Sequence, residues 1–222
     1  SIVKDALKHF GTVDILINNA GILRDKTFVK MDLEDFEEVL RVHLLGSVYV
    51  TRAAYPIMKE KSYGRIIMTT SVAGLYGNFG QTNYSAAKMG IVGFMNSLKL
   101  EGRKYNILVN GVAPVAVTRL TETASIFPQE LIPLLKPEPV TALVAYLCSD
   151  QCRTSGDIIS AGAGYYAKVQ TVEGRGVKFS PGEEITPEKI ARRYADICSM
   201  NKTVGYESAD EQLQALLSFL EK

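Results

Sequence analysis

Apolar residues along this chain gather into two kinds of run. Val13 to Ile17 is short and mainly apolar, and it leads into Asn18-Asn19-Ala20-Gly21. That pattern predicts a buried parallel strand followed by a loop. Arg65 to Thr70, Ile107 to Val112 and Gly156 to Ala161 read the same way. Between them, apolar positions recur with helical spacing. Ile2 to Phe10 reads as the end of a helix closed by Gly11. Asp32 suits the N-cap of a long helix with Phe36, Val39, Leu40 and Leu44 on one stripe, expected to end near Pro56. A second long helix carries Tyr84 and continues through Met89, Ile91, Val92, Phe94 and Leu98; Pro139 to Cys148 is a further helix. Alternating strands and helices predict an α/β chain built on a doubly wound parallel sheet.

After Tyr166 the pattern changes. Gly174, Gly176, Pro181 and Gly182 mark a loop-rich connector. Thr186-Pro187 then starts a helix with Ile190, Tyr194 and Ile197 at helical spacing. Ser208 and Glu211 form a capping box ahead of Leu213, Leu216, Leu217 and Leu220. We therefore divide the chain into a core, 1–167, and a helical extension, 168–222. The extension either docks on the core, caps a dimer or bridges to a further domain. Two core helices are apolar on more than one side. Gly90 to Met95 does this on the tyrosine helix, and Val48, Tyr49, Val50, Ala53 and Ala54 on the one before. Such helices are buried on several sides, in a deep core or at a subunit interface. We favour the interface.

Composition narrows the class. The chain has 222 residues, enough for one sizeable α/β domain with an appendage. Hydrophobic residues are 46% and charged residues 22%, as in a globular protein. A net charge of +1 gives no footprint for nucleic acid or a membrane surface, and no apolar run is read as a membrane span. The three cysteines, Cys148, Cys152 and Cys198, are too few for a disulfide scaffold and point to a reducing compartment. With His9 and His43 as the sole histidines, no metal site is expected.

The chemistry concentrates between Thr69 and Lys88. Tyr84 and Lys88 stand four apart on a helix and so share a face. At about 4 Å and an effective dielectric near 20, an ammonium stabilises a phenolate by about 4 kcal/mol. The phenol is then expected to fall from about 10 toward physiological pH, where it serves as a general acid/base. Ser71 stands where its hydroxyl can bond the oxygen that exchanges the proton. An ordinary exposed tyrosine and lysine is the alternative reading.

Ser71, Tyr84 and Lys88, with Asn18-Asn19-Ala20-Gly21 upstream and Ala113-Pro114 downstream, resemble the short-chain dehydrogenase/reductase family across nearly all of 1–167. The resemblance implies a Rossmann-type sheet, a nicotinamide cofactor, and catalysis by Ser71, Tyr84 and Lys88. Tyr84 would transfer the proton. Lys88 would lower its pKa and bind the nicotinamide ribose, and Ser71 would orient the substrate oxygen. Asn19, Ala20 and Gly21 would close the pocket beside the cofactor. Pro114 to Thr118 would flank the nicotinamide, with Thr118 near the carboxamide, although the family's usual glycine is Val115 here. At His43 the family usually has an asparagine whose backbone carbonyl holds a relay water. A histidine keeps that carbonyl, so His43 either joins the relay or simply packs. The family's first strands and glycine-rich turn do not occur in this sequence. About three strands are absent, a truncated coding sequence is expected, and the chain alone is expected to bind dinucleotide weakly. Gly162 to Ala167 satisfies GxGxxA, but at the end of the core, so it reads as a strand turn.

Ala20 to Asp25, Val42-His43-Leu44, Tyr63 to Ile66 and Gly77 to Gln81 narrow the resemblance. They are similar to the (3R)-hydroxyacyl-CoA dehydrogenase domains of multifunctional β-oxidation enzymes. This implies NAD-dependent oxidation of a (3R)-3-hydroxyacyl-CoA to the 3-ketoacyl-CoA, a homodimer formed through helices 33–56 and 84–101, further domains and a peroxisomal home. Arg24, Lys26 and Arg119 are weak candidates for CoA phosphates. The alternatives are a 3-oxoacyl-carrier-protein reductase, a hydroxysteroid dehydrogenase or a non-catalytic subunit. Leu220-Glu221-Lys222 is not a peroxisomal SKL-type ending, and a bacterial relative would be cytoplasmic.

Overall fold

The computed structural model describes residues 2–118 and 129–221. The chain divides into two compact units, Ser1–Val169 and Gln170–Lys222. The first holds α1 (Ile2–Phe10), β1 (Ile15–Asn18), α2 (Leu33–Leu40), α3 (Gly46–Lys61), β2 (Gly64–Thr69) and α4 (Val72–Tyr76). It continues with α5 (Thr82–Gly102), β3 (Ile107–Pro114), α6 (Glu138–Cys148), β4 (Ile158–Gly162) and β5 (Tyr165–Val169). The sheet order is β1-β2-β3-β4-β5, parallel from β1 to β4 with β5 antiparallel at the edge.

Apolar content sets each strand's place. Ile66, Ile67, Met68, Ile107, Val109 and Val112 are all buried, so β2 and β3 carry the core on both faces. Met58, Ile91, Met95 and Leu98 from α3 and α5 cover one face. Leu147 and Cys148 of α6 cover the other, against Ile67 and Val112. Among the described residues β1 pairs only with β2, and its Ile15 and Ile17 are each 47% exposed.

Four sequence expectations are corrected. The helix expected to stop near Pro56 runs on to Lys61. Buried Ala54 and Met58 bracket the proline, so packing outweighs the missing N–H. The same helical rod, 33–61, contains one turn of π-helix at Arg41–Leu45, where Gly46 N–H reaches back to the Arg41 carbonyl. Asp32 flanks α2 in extended conformation but makes no side-chain cap; its carboxylate binds Lys26 instead, at 2.8 Å. The strand expected from Gly156 begins at Ile158, because Gly156 turns the chain at φ +94°. β5 was not expected at all. Ala163 and Gly164, both at positive φ, turn the chain into it. The GxGxxA pattern is thus a hairpin, with no helix behind it to seat a pyrophosphate.

The stretch Glu130–Cys148 reaches a mean hydropathy of 1.3. It is no continuous rod, however. A 3-10 turn at Gln129–Leu134 is separated from α6 by Leu135 to Pro137. The 11 residues of α6 rise only about 16 Å, against a bilayer core of about 30 Å.

The second unit contains β6 (Glu173–Gly174) and β7 (Thr203–Val204), paired antiparallel, with α7 (Pro187–Ile197) and α8 (Ala209–Glu221). Thr186 caps α7 through the Lys189 N–H. Ser208 accepts from Glu211 N–H at 3.1 Å, while the Glu211 carboxylate accepts from Glu207 N–H, one residue beyond the expected box.

Candidate active site

β1, β2 and β3 are parallel neighbours, so their C-terminal ends line up. In open α/β sheets this edge is where ligands bind. Ser71 follows β2 directly, in extended conformation, and N-caps α4 by accepting the Ala73 N–H at 3.1 Å. α4 crosses α5 so closely that a Cβ on Gly74 would stand 2.7 Å from Lys88 Cβ. Tyr84 and Lys88 lie one turn apart on α5, and the Ser71 hydroxyl stands close enough to the Tyr84 phenol to favour its ionised form.

Lys88 is 3% exposed. Its ammonium donates to the Thr69 carbonyl at 2.7 Å, and its own carbonyl accepts from Thr70 Oγ1 at 2.9 Å. Two bonds to the β2 end thus fix the lysine at both ends. Burial lowers its pKa to about 8.

The expected effect of Lys88 on Tyr84 is corrected here. The Lys88 Nζ stands 5.5 Å from the Tyr84 ring centroid, with its proton directed at Thr69. Burial dominates and raises the phenol above its ordinary value of 10. The Ser71 hydrogen bond opposes that rise, and the Asp25 charge adds to it. Desolvation of the phenolate outweighs the attraction argued from helical spacing.

His43 sits in the π-turn and is 1% exposed. Its ring meets that of Tyr84 edge-on, 5.1 Å between centroids and 85° apart. Nε2 lies 3.0 Å from Ile22 N and 2.8 Å from Ile22 O, so it either accepts from one or donates to the other. Burial, then the Lys88 charge, lower the His43 pKa to about 4 against the opposing Ile22 bond, so the ring is neutral at pH 7. Nδ1 is buried with no partner among the described residues. A Cβ on Gly21 would stand 2.2 Å from His43 Cε1, so only glycine fits beside this ring. The His43 carbonyl accepts from Ser47 Oγ at 2.6 Å.

Asn19 accepts from Thr69 Oγ1 at 3.1 Å, joining the β1 and β2 ends. Ala20 is exposed beside it, and Pro114 ends β3 on the other flank. Thr118 is exposed beyond Pro114. Arg24 and Lys26 are already paired with carboxylates: Arg24 with Asp35 at 3.6 Å, Lys26 with Asp32 and Asp35 at 2.8 and 3.0 Å. Arg119 lies outside the described residues. No cluster of metal-ligating side chains occurs among the described residues.

Sequence reasoning missed a clamp beside the tyrosine. Buried Gln81 donates to Asp25 at 2.7 Å and accepts from Asn78. Fully buried Asn83 donates to the Arg24 carbonyl and accepts the Tyr84 N–H at 2.7 Å. Together they tie the loop after Gly21 to the start of α5. Two amides immediately before Tyr84 were the available signal.

The donor set fits the nicotinamide-ribose end of a dinucleotide. An ammonium has three donors, and Thr69 is the partner of one. The phenol and the Ser71 hydroxyl stand beside it at the strand edge.

This arrangement of parallel strand ends, serine, tyrosine and lysine defines a class, and the comparison agrees. Residues 1–130 match the family described as short chain dehydrogenase. The chain belongs to that family of NAD(P)-dependent oxidoreductases. Among individual relatives, it is 43% identical to mouse peroxisomal multifunctional enzyme type 2, over all of this chain and 30% of the relative. A 3-oxoacyl-[acyl-carrier-protein] reductase of Aquifex aeolicus is 41% identical over 69% of this chain and 66% of its own length. The solved structure of full-length peroxisomal multifunctional enzyme type 2 from Drosophila melanogaster superposes with a TM-score of 0.84 at 40% identity. That match covers 92% of this chain and 37% of the other. The chain therefore spans about a third of the multifunctional relatives it matches.

Proposed function

We propose that this chain oxidises a (3R)-3-hydroxyacyl-CoA to the 3-ketoacyl-CoA, using NAD. The observation that carries the reading is the convergence of Ser71, Tyr84 and Lys88 at the β2 end, in a chain whose likeness to multifunctional enzymes runs its whole length. The reductase likeness covers 69% of the chain, which favours the hydroxyacyl-CoA reading. The same kinship supports a peroxisomal home and a place beside further catalytic domains.

In this reading Tyr84 oxygen takes the hydroxyl proton of the alcohol, and Ser71 donates a hydrogen bond to the same substrate oxygen. Lys88 grips the ribose hydroxyls with the donors that Thr69 does not use. NAD held there by Lys88 would supply the hydride acceptor for the carbinol carbon. Asn19 and Gly21 line the β1 side of the pocket, Pro114 and Thr118 the β3 side. The test is the rise in absorbance at 340 nm when the intact protein meets NAD and (3R)-3-hydroxyacyl-CoA. Turnover of the (3R) thioester is expected, with NADP and steroid alcohols poor. Turnover restricted to acyl-carrier-protein substrates, or to NADP, would overturn it.

His43 is assigned to packing in this reading. With Nε2 committed to Ile22 and the ring neutral at pH 7, His43→Asn is expected to keep the shape of the pH–rate profile. It should lower stability by about 1–3 kcal/mol through the unpaired Ile22 backbone. Chemical denaturation and pH-dependent kinetics check both halves.

We also propose a homodimer through α3 and α5. Tyr49, Met89 and Leu100 are exposed on these helices. Val48, Tyr55, Phe94 and Leu98 line a groove of about 460 Å³ between them. Within it the Tyr55 hydroxyl is buried without a hydrogen-bond partner among the described residues. Tyr49→Asp is expected to yield monomers in sedimentation analysis; an unchanged dimer would exclude this face.

A further inference from the structure

We propose that Asp25, held in place by Gln81, is a positioning residue for the proton transfer at Tyr84, setting a fixed negative charge against the phenol. This role depends on Tyr84 moving the proton, and not on which alcohol is oxidised. Three consecutive residues of the loop after Gly21 are tied to the start of α5. The Arg24 carbonyl accepts from Asn83 Nδ2 at 2.9 Å. The Asp25 carboxylate accepts from Gln81 Nε2 at 2.7 Å. Lys26 N–H donates to the Gly80 carbonyl at 3.0 Å. The same Asn83 amide accepts the Tyr84 N–H at 2.7 Å. One side chain therefore spans from the peptide that precedes Asp25 to the backbone of Tyr84.

The clamp commits buried amides to a surface carboxylate. Gln81 is 5% exposed and Asn83 is fully buried, whereas Asp25 is exposed. The neighbouring cations on the loop are turned elsewhere. Arg24 pairs with Asp35 at 3.6 Å, and Lys26 with Asp32 and Asp35 at 2.8 and 3.0 Å. A negative charge at the N-terminus of α5 would also favour the helix, whose own first turn has no acidic residue. That structural benefit and an effect on Tyr84 are separable by experiment.

The groups that face the phenol set the direction of the effect. Ser71, after β2, is uncharged. His43, in the π-turn, is neutral at pH 7. Lys88, on α5, directs its ammonium to the Thr69 carbonyl and loses its charge above about pH 8. Of these groups and Asp25, only the carboxylate is charged throughout the alkaline range. A like charge disfavours the phenolate. The clamp thus helps keep Tyr84 in its proton-bearing form, and removal of the charge should release that proton at lower pH.

The test is a pH titration by NMR of the intact protein, isotope-labelled at tyrosine Cζ, with the Tyr84 signal identified by its loss in Tyr84→Phe. Asp25→Asn keeps an acceptor for Gln81 and removes the charge. Its Tyr84 midpoint is expected about 0.3–1 pH unit below the parent's, the size of one screened charge. The alkaline rise of kcat/KM should move by the same amount, and Asp25→Glu should return both toward the parent. Asp32→Asn removes a carboxylate turned to Lys26 and should leave the midpoint in place. A helix-stabilising role alone would lower the Tm and move neither. If circular dichroism shows Asp25→Asn unfolded, Asp25→Ser is the second charge-free variant; loss of folding in both would mark Asp25 as structural and overturn the proposal. So would an unmoved or raised midpoint, an equal displacement in Asp32→Asn, or a displaced midpoint with no matching change in the rate profile. Turnover of no alcohol would instead sink the reading of Tyr84, and the role of Asp25 with it, even where the midpoint moves.

Discussion

Tyr84→Phe in the intact protein is expected to lower kcat/KM for alcohol oxidation by about 10²–10⁴-fold, the range of a lost general acid/base. Dinucleotide affinity should stay nearly unchanged. The phenol hydroxyl is the sole atom removed, and the ring keeps its edge-on contact with His43. Lys88 keeps its hold on Thr69, because that bond does not pass through the phenol. Loss of turnover with binding retained assigns the hydroxyl to the chemical step. Parallel loss of both would instead mean that the ring supports the pocket. Circular dichroism and a cofactor titration on the same sample separate the two.

Gly21→Ala is expected to be the most damaging small substitution near the site. The added methyl would lie 2.2 Å from Cε1 of a histidine that is 1% exposed. The His43 ring cannot swing aside without losing its bond to Ile22 and its contact with Tyr84. Overpacking of this kind costs typically about 1–3 kcal/mol. His43→Ala vacates that space, so the double variant should recover part of the loss. A thermodynamic cycle by chemical denaturation should show strong non-additivity, as contacting residues do. Additive effects would mean that Gly21 and His43 do not contact in solution.

Much of this could be read from residue order. β2 and β3 were legible because they are buried on both faces and carry the apolar runs Ile66-Ile67-Met68 and Ile107-Leu108-Val109. Ser71, Tyr84 and Lys88 were legible because strand end and helical spacing are local features. β5 was not, since Tyr165 and Tyr166 are exposed and the strand shows little apolar signal. The overrun of Pro56 depends on Met58 reaching a core assembled from distant segments. The direction of the Tyr84 shift is not legible in the sequence for a related reason. Helical spacing reports which residues are neighbours, but not that an ammonium turns to the Thr69 carbonyl or how much water the phenol loses. Gln81 and Asn83 acquire meaning only once the loop at Arg24 and Asp25 folds against them.

Burial raises the Tyr84 phenol above its ordinary value, the Ser71 hydrogen bond opposes that rise and the Asp25 charge adds to it. If Tyr84 accepts the alcohol proton, oxidation must quicken as the phenol ionises with rising pH. The most direct measurement is therefore the pH dependence of kcat/KM for the parent, Tyr84→Phe and His43→Asn. An alkaline rise in the parent that persists in His43→Asn and vanishes in Tyr84→Phe is the expected result. The same rise in Tyr84→Phe would contradict the assignment, because some other group would then be carrying the proton.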